Sequence, residues 1–328
     1  MTHVVTGCAG FIGAALARRL LADGCKVVGV DILDDAYDVR MKEHRLEGLL
    51  ASAPFRLLRE NVCSSGLEEA LRRALGSARV DTVFHLAART GVRQSVDAPR
   101  SYVDANVLGT LNVLETCRRL GVGRLVLAST SSVYGIPARL PCPEDADTSR
   151  PLSPYAASKI AAEALCHTYH YVQGLSIVVV RYFTVYGPAG RPDMSIFRWV
   201  RNVVEGRPIT VYGDGTQKRA FTFVDDVVEG TVAAGRLSGY HVINLGGERS
   251  VELLDVVKMI ELVTGCTAVV RHGPAQPGEI PATSADCRRA RELLGWQPRV
   301  ALEDGLRVTA DWYRQNRHWA ANVDLGGA

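Results

Sequence analysis

The chain opens on residues of strand type, His3-Val4-Val5-Thr6, followed by a glycine-rich turn and the helix-forming run 14–22. The alternation then repeats. Strands are predicted at 26–30, 55–58, 82–88 and 124–128, with helices between them reaching Leu50 and spanning 102–120. Short continuous apolar runs mark strands covered on both faces, and their alternation with helices predicts an α/β fold with a Rossmann-type, doubly wound parallel sheet. Beyond Gly187 the pattern loosens. Helices are predicted at 196–205, 224–234 and 250–264, the last with Ser250 as N-cap, and strands at 209–212 and 242–245. This second part reads as a smaller α/β substrate-binding lobe. The nucleotide-binding domain is placed at 1–183, rejoined by about 222–248. The substrate lobe takes 184–221 and 249–320, and a tail at 321–328 is expected to fray.

Composition narrows the class without changing this outline. The 328 residues are 47% hydrophobic and 22% charged, as in a soluble globular protein, and the length favours two packed lobes. A net charge of +3 without a basic block gives no reason to invoke nucleic acid, and no apolar run approaches membrane-spanning length. Eight cysteines without a C-x-x-C pair fit reduced thiols in a cytoplasmic enzyme better than disulfides or a metal site.

The candidate chemistry lies at the predicted carboxyl ends of the strands. Gly7, Gly10 and Gly13, with Phe11 and Ile12 between them, sit at a strand-to-helix turn, where glycine lets the backbone approach a pyrophosphate on the helix N-terminus. Their spacing departs from the usual G-x-G-x-x-G. Asp31 ends the second strand, where a carboxylate accepts both adenine-ribose hydroxyls and repels a 2′-phosphate; this favours NAD over NADP. Asn61 and Val62 end the third strand near the expected adenine. Leu86, Ala87 and Ala88 end the fourth with small residues suited to close cofactor approach, and Asn106 is placed to bond neighbouring backbone. The hydroxyl cluster Ser129-Thr130-Ser131-Ser132 ends the fifth strand. Pro154 then opens a helix on which Tyr155 and Lys159 share one face, one turn apart, where an ammonium lowers the pKa of a phenol. A lone Y-x-x-x-K is common on amphipathic helices; the order of these parts is what makes them specific.

Thr6-Gly7-x-x-Gly10-x-x-Gly13, Asp31, His85-Leu86-Ala87-Ala88, Thr130 and Tyr155-x-x-x-Lys159 resemble, over essentially the whole chain, the extended short-chain dehydrogenase/reductase family. Its members modify nucleotide sugars on tightly held NAD. The resemblance implies that Thr130 and Tyr155 bond the hydroxyl being oxidised and that Lys159 also holds the nicotinamide ribose. Three stretches look like the family's UDP-glucuronate 4-epimerase branch: residues 31–46, Gly91-Val92-Arg93, and Arg181-Tyr182-Phe183-Thr184-Val185-Tyr186-Gly187-Pro188-Ala189-Gly190-Arg191-Pro192-Asp193-Met194. In that branch the residues matching Thr184 and Arg191 face the sugar carboxylate, which suits a guanidinium able to form two parallel charged hydrogen bonds.

Ser131 and Ser132 stand where the resemblance would put Asp-Glu in dehydratases and Ser-Glu in decarboxylases. Both sites would be without a carboxylate here, which implies epimerisation without elimination or loss of carbon dioxide. By the same resemblance, backbone around Tyr212 grips uracil and Arg219 contacts the diphosphate, although Ala220 replaces the Asp usual after that Arg. Glu279 replaces the Asp of a Pro-Gly-Asp loop over the nucleotide. Trp296 reads as core. The implied mechanism has Tyr155 as phenolate removing the 4-hydroxyl proton while NAD takes, then returns, the carbon-4 hydride. Thr184 and Arg191 would hold the carboxylate of the β-keto acid out of line for decarboxylation. Alternatives are an epimerase of UDP-glucose or UDP-N-acetylhexosamine, a UDP-glucuronate decarboxylase, and a non-catalytic NAD(H)-binding regulator. A homodimer through the helices beginning near Tyr102 and Tyr155 is also implied.

Overall fold

The computed structural model of the chain describes residues 1–274 and 280–326. Its centre is a seven-stranded sheet built from β1 (Thr2–Thr6), β2 (Lys26–Val30), β3 (Phe55–Leu58), β4 (Thr82–His85), β5 (Arg124–Thr130), β6 (Ser176–Tyr182) and the strand Tyr240–Leu245. Their order is β3-β2-β1-β4-β5-β6 and then Tyr240–Leu245, and every pairing is parallel. Val5, Val30, Leu127, Val179 and Ile243 are fully buried, because helices cover both faces. One face packs on α1 (Phe11–Ala22) and the helix Val224–Ala234, the other on the helices Gly109–Leu120 and Pro154–Gln173. Parallel strands bring the ends of β1, β4 and β5 to one edge, so Gly7, Leu86 and Ser131 follow from the same rim.

The other strands form three two-stranded sheets, and residues after Tyr182 build a separate apolar core. Thr184–Tyr186 pairs with Phe221–Phe223, Lys218–Arg219 with Val251–Glu252, and Ile209–Tyr212 with Val270–Gly273. Trp199, Val200, Val256, Ile260, Leu306 and Tyr313 join the helices Ser195–Val204, Leu253–Thr264 and Leu302–Gln315.

Several expectations need correction. The helix predicted at 250–264 begins at Leu253 with Glu252 at its cap, so Ser250 is not the N-cap; Val251 and Glu252 are taken up in strand pairing. The helix predicted at 102–120 is continuous with an earlier turn, Pro99–Tyr102, and contains a π-helical segment, Val103–Leu108. The segment after Trp319 does not fray over its described length. Val323 is 1% exposed, and its carbonyl accepts from Arg201 Nη1 at 2.6 Å. Arg40 Nη2 donates to the Asn322 carbonyl at 2.6 Å, and the Asp324 N–H donates to Asp38 Oδ2 at 2.7 Å. Trp296 is core, with its Nε1 donating to the Asp226 carbonyl at 2.7 Å. Among the described residues, no helix is long and apolar enough to cross a membrane.

Candidate active site

The glycine turn is shaped by contacts that leave no room for side chains. Gly7 has φ +71°, and a Cβ there would lie 2.7 Å from the Ala87 nitrogen and 2.9 Å from the Leu86 carbonyl carbon. A Cβ on Gly13 would lie 2.0 Å from the Gly7 carbonyl oxygen. Gly10 caps α1, and the first turn of that helix carries no acid to repel an anion. Phe11 and Ile12 are half-buried beside it. Asp31 follows β2, with Oδ2 accepting from the Ala9 N–H at 3.0 Å and Oδ1 from the Leu33 N–H at 2.9 Å, so its carboxylate is fixed to the glycine turn. This bare-backbone cradle with a carboxylate at its rim fits a dinucleotide.

On the same rim, Ala87 donates its N–H to Thr6 Oγ1 at 3.1 Å, and Thr6 Oγ1 lies 2.7 Å from His85 Nδ1. The Thr110 hydroxyl donates to the Asn106 carbonyl at 2.6 Å and therefore accepts from His85 Nε2–H at 3.1 Å. His85 is thus held as one neutral tautomer, and burial with the Lys159 charge nearby pushes its pKa down to about 3. It is a packed strand residue. Asn106, fully buried in the π-helical turn, accepts from the Arg89 N–H at 2.8 Å and donates to the Arg89 carbonyl and to Ser158 Oγ, each at 2.9 Å. Leu86 and Ala88 are half-buried at this rim. Asn61 is exposed, its Oδ1 accepting from the Cys63 N–H at 2.9 Å, while Val62 is buried.

The catalytic candidates converge from β5 and the helix Pro154–Gln173. Ser153 caps that helix by accepting from the Ala156 N–H at 3.2 Å, and Pro154 occupies its first turn. Burial pushes the Tyr155 phenol above its ordinary pKa, opposed by a hydrogen bond with the Thr130 hydroxyl and by the positive charge of Arg191. Arg191 is thus a second cation near the phenol, besides Lys159 one turn along the helix. Burial lowers the Lys159 pKa to about 8, against the opposing charge of Glu163 one turn further along the helix. Tyr102 meets Tyr155 edge-on at 6.1 Å. Thr130 Oγ1 accepts from the Ser132 N–H at 3.1 Å and lies 3.2 Å from Ser132 Oγ. Ser131 and Ser132 are half-buried in the turn that follows.

Arg191 reaches this centre on the loop after Thr184–Tyr186. Burial works against its charge, but Asp193 beside it holds its pKa above the ordinary value. Thr184 is half-buried at the start of that strand. Arg93 lies over the Tyr212 ring at 4.5 Å, a cation–π contact between the helix after Gly91 and the strand Ile209–Tyr212. Arg219 donates Nη1 to the Lys218 carbonyl at 2.9 Å, and Ala220 beside it is fully buried. Glu279 lies outside the described residues.

Sequence reasoning passed over three supporting residues. Arg45, quoted only within a motif, is 2% exposed and donates to the carbonyls of Ala9 at 3.2 Å, Ala189 at 2.9 Å and Gly190 at 3.1 Å. It thus ties the glycine turn to the Arg191 loop. Glu163 accepts from Arg181 Nη2 at 2.6 Å and from Ser129 Oγ. Its position four residues after Lys159 on one helix was the available signal. Asp193 was the third.

Residues 3–246 match the model of the NAD dependent epimerase/dehydratase family. The chain belongs to this family. Over 96% of its length it is 45% identical to a UDP-glucuronate 4-epimerase of Thermodesulfobacterium geofontis, covering 96% of that protein. It superposes with a TM-score of 0.90 on a UDP-glucuronic acid 4-epimerase of Bacillus cereus in complex with UDP-glucuronic acid and NAD, at 38% identity, covering 96% of this chain and 100% of that one. A UDP-glucose 4-epimerase of Thermotoga maritima superposes with a TM-score of 0.88 at 30% identity, covering 97% and 100%. The NAD dependence of the epimerase/dehydratase family agrees with the glycine cradle and Asp31.

Proposed function

We propose that this chain interconverts UDP-glucuronate and UDP-galacturonate by epimerisation at carbon 4. The observation that carries this reading is the Arg191 guanidinium, whose charge acts on the Tyr155 phenol. A cation at that point suits a sugar bearing a carboxylate at carbon 6, which can take the guanidinium donors that Asp193 leaves open. The likeness to epimerases of UDP-glucuronate supports it further.

Gly7, Gly10, Gly13 and Asp31 would hold the cofactor, with Phe11, Ile12, Asn61, Val62, Leu86, Ala87, Ala88 and Asn106 around it. When bound, NAD supplies the acceptor and donor of the carbon-4 hydride, and its oxidised form adds a positive charge. Tyr155 takes the proton of the 4-hydroxyl, and Thr130 shares that hydrogen bond. Lys159 as ammonium stabilises the phenolate. Arg191 and Thr184 hold the sugar carboxylate so that its bond to carbon 5 stays out of line for decarboxylation. Ser131, Ser132, Arg93, Tyr212, Arg219 and Glu279 complete the substrate contacts.

The domain division stated above, with the 240–245 strand returned to the nucleotide-binding part, is kept in this reading. So are a cytoplasmic location and a homodimer. The dimer is supported by Val103 and Leu108, which remain 46% and 52% exposed on the helix that begins near Tyr102. The test is to incubate the purified protein with UDP-glucuronate and resolve the products. UDP-galacturonate without carbon dioxide is the expected result; UDP-pentose or no conversion would refute the reading.

A further inference from the structure

The fork of Arg191 is already held by a side chain of its own loop. Nε donates to Asp193 Oδ1 at 3.0 Å and Nη2 donates to Oδ2 at 2.5 Å, which joins the two planar groups side-on. The side chains are only 19% and 14% exposed. A guanidinium has five N–H donors, and this pairing uses the Nε edge. The end-on edge, formed by Nη1 and the second N–H of Nη2, makes no other hydrogen bond among the described residues.

The surroundings fix this arrangement from several sides. Arg45 grips the loop through the Ala189 and Gly190 carbonyls. The Arg191 guanidinium lies 5.5 Å over the Tyr37 ring, and Tyr37 OH in turn accepts from Arg45 Nη1 at 2.5 Å. Gly326 in the docked terminal segment lies beside Asp193, such that a Cβ on it would meet the Asp193 β-carbon at 3.8 Å. Ala189, Phe197 and Val323 share one small apolar cluster beneath the loop.

We propose that Asp193 is the positioning residue for carboxylate recognition, locking Arg191 by one edge so that its end-on edge is presented to the sugar carboxylate. The proposal rests on the epimerase reading above. Because the guanidinium is planar and rigid, fixing one edge fixes the direction of the other. Asp193 also neutralises the buried cation while no sugar is bound, so the site need not carry an unpaired charge. The substrate is then the second carboxylate on one guanidinium, held through donors that Asp193 leaves open.

The experiment compares Asp193→Ala, Asp193→Asn and the unaltered protein, each carrying its cofactor. Dissociation constants are measured for UDP-glucuronate and for UDP, which has no sugar, and the products from UDP-glucuronate are resolved. Loss of Arg191 alignment in Asp193→Ala should weaken UDP-glucuronate about ten- to a hundredfold and release UDP-pentose, with UDP affinity changed less than about twofold. Asp193→Asn keeps one acceptor and should fall between; it carries the test if the alanine variant does not fold. Equal loss for UDP-glucuronate and UDP would mean a merely structural role and overturn the proposal, as would unchanged affinity and product. If the unaltered protein does not convert UDP-glucuronate, the epimerase reading falls and this inference with it, a result distinct from failure of the variants alone.

Discussion

At the glycine turn, Gly7 and Gly13 have no space for a β-carbon, whereas on the side proposed for the sugar Arg45, Arg191 and Asp193 pack a loop with charge. The first surface is made by removing side chains until backbone can meet backbone. The second is made by adding charged groups and neutralising them in pairs. A backbone cradle tolerates no insertion at its glycines but is indifferent to the sugar. A paired-charge loop can change its preference by one substitution while the fold stays intact.

The largest effect that sharpens this contrast belongs to neither surface but to the group between them. Tyr155→Phe removes the proposed proton acceptor and should lower kcat by about 10²- to 10⁴-fold with UDP-glucuronate binding retained. Binding lost together with turnover would assign Tyr155 a different role. Next in size is Glu163→Gln, which leaves Arg181 buried without its carboxylate. Denaturant unfolding should show a loss of about 3–5 kcal/mol, and a change below about 1 kcal/mol would show the pair to be dispensable. On the cofactor side, Gly13→Ala drives a methyl into the Gly7 carbonyl. It should cost about 1–3 kcal/mol and deplete bound NAD, read from the dinucleotide released on denaturation. Full NAD content would break the cradle argument.

The pH dependence separates stability from activity. Burial brings the Lys159 pKa down to about 8, so activity that needs its ammonium should decline with a midpoint near 8 on the alkaline side. Lys159→Arg should move that limb to higher pH. For stability the sign is opposite. A lysine depressed in the folded chain is penalised while charged, so the penalty is present below pH 8 and fades as pH rises towards the ordinary value of about 10.4. The fold should therefore gain as activity falls. The smallest effect is expected for Arg93→Ala, which removes a contact over Tyr212 worth about 0.5–1 kcal/mol. It should raise KM a few-fold with kcat little changed.

The same contrast decides what could be read from the chain. Gly7, Gly10, Gly13, Asp31, Tyr155 and Lys159 were legible because each constraint is local: a turn, a strand end, one helical face. That the sheet is parallel followed from the alternation of strands and helices. The clamp of Arg45 on Ala189 and Gly190 joins residues 144 and 145 positions apart, and no spacing rule spans that distance. The terminal segment misled for a related reason. Its few apolar residues look insufficient to dock, yet Val323 finds a ready cluster with Met41, Ala189 and Phe197. Ser250 has the chemistry of a cap, but pairing of Val251 and Glu252 with Lys218–Arg219 moved the helix start. Asp193 stood two residues from Arg191 in plain view. Its pairing needed the loop to fold back on itself.

The most direct measurement is conversion of UDP-glucuronate carrying deuterium at carbon 4, followed by mass and position analysis of the product. The account predicts UDP-galacturonate that keeps deuterium at carbon 4, with no carbon dioxide released. Loss of the deuterium to solvent, or UDP-pentose as the product, would contradict it.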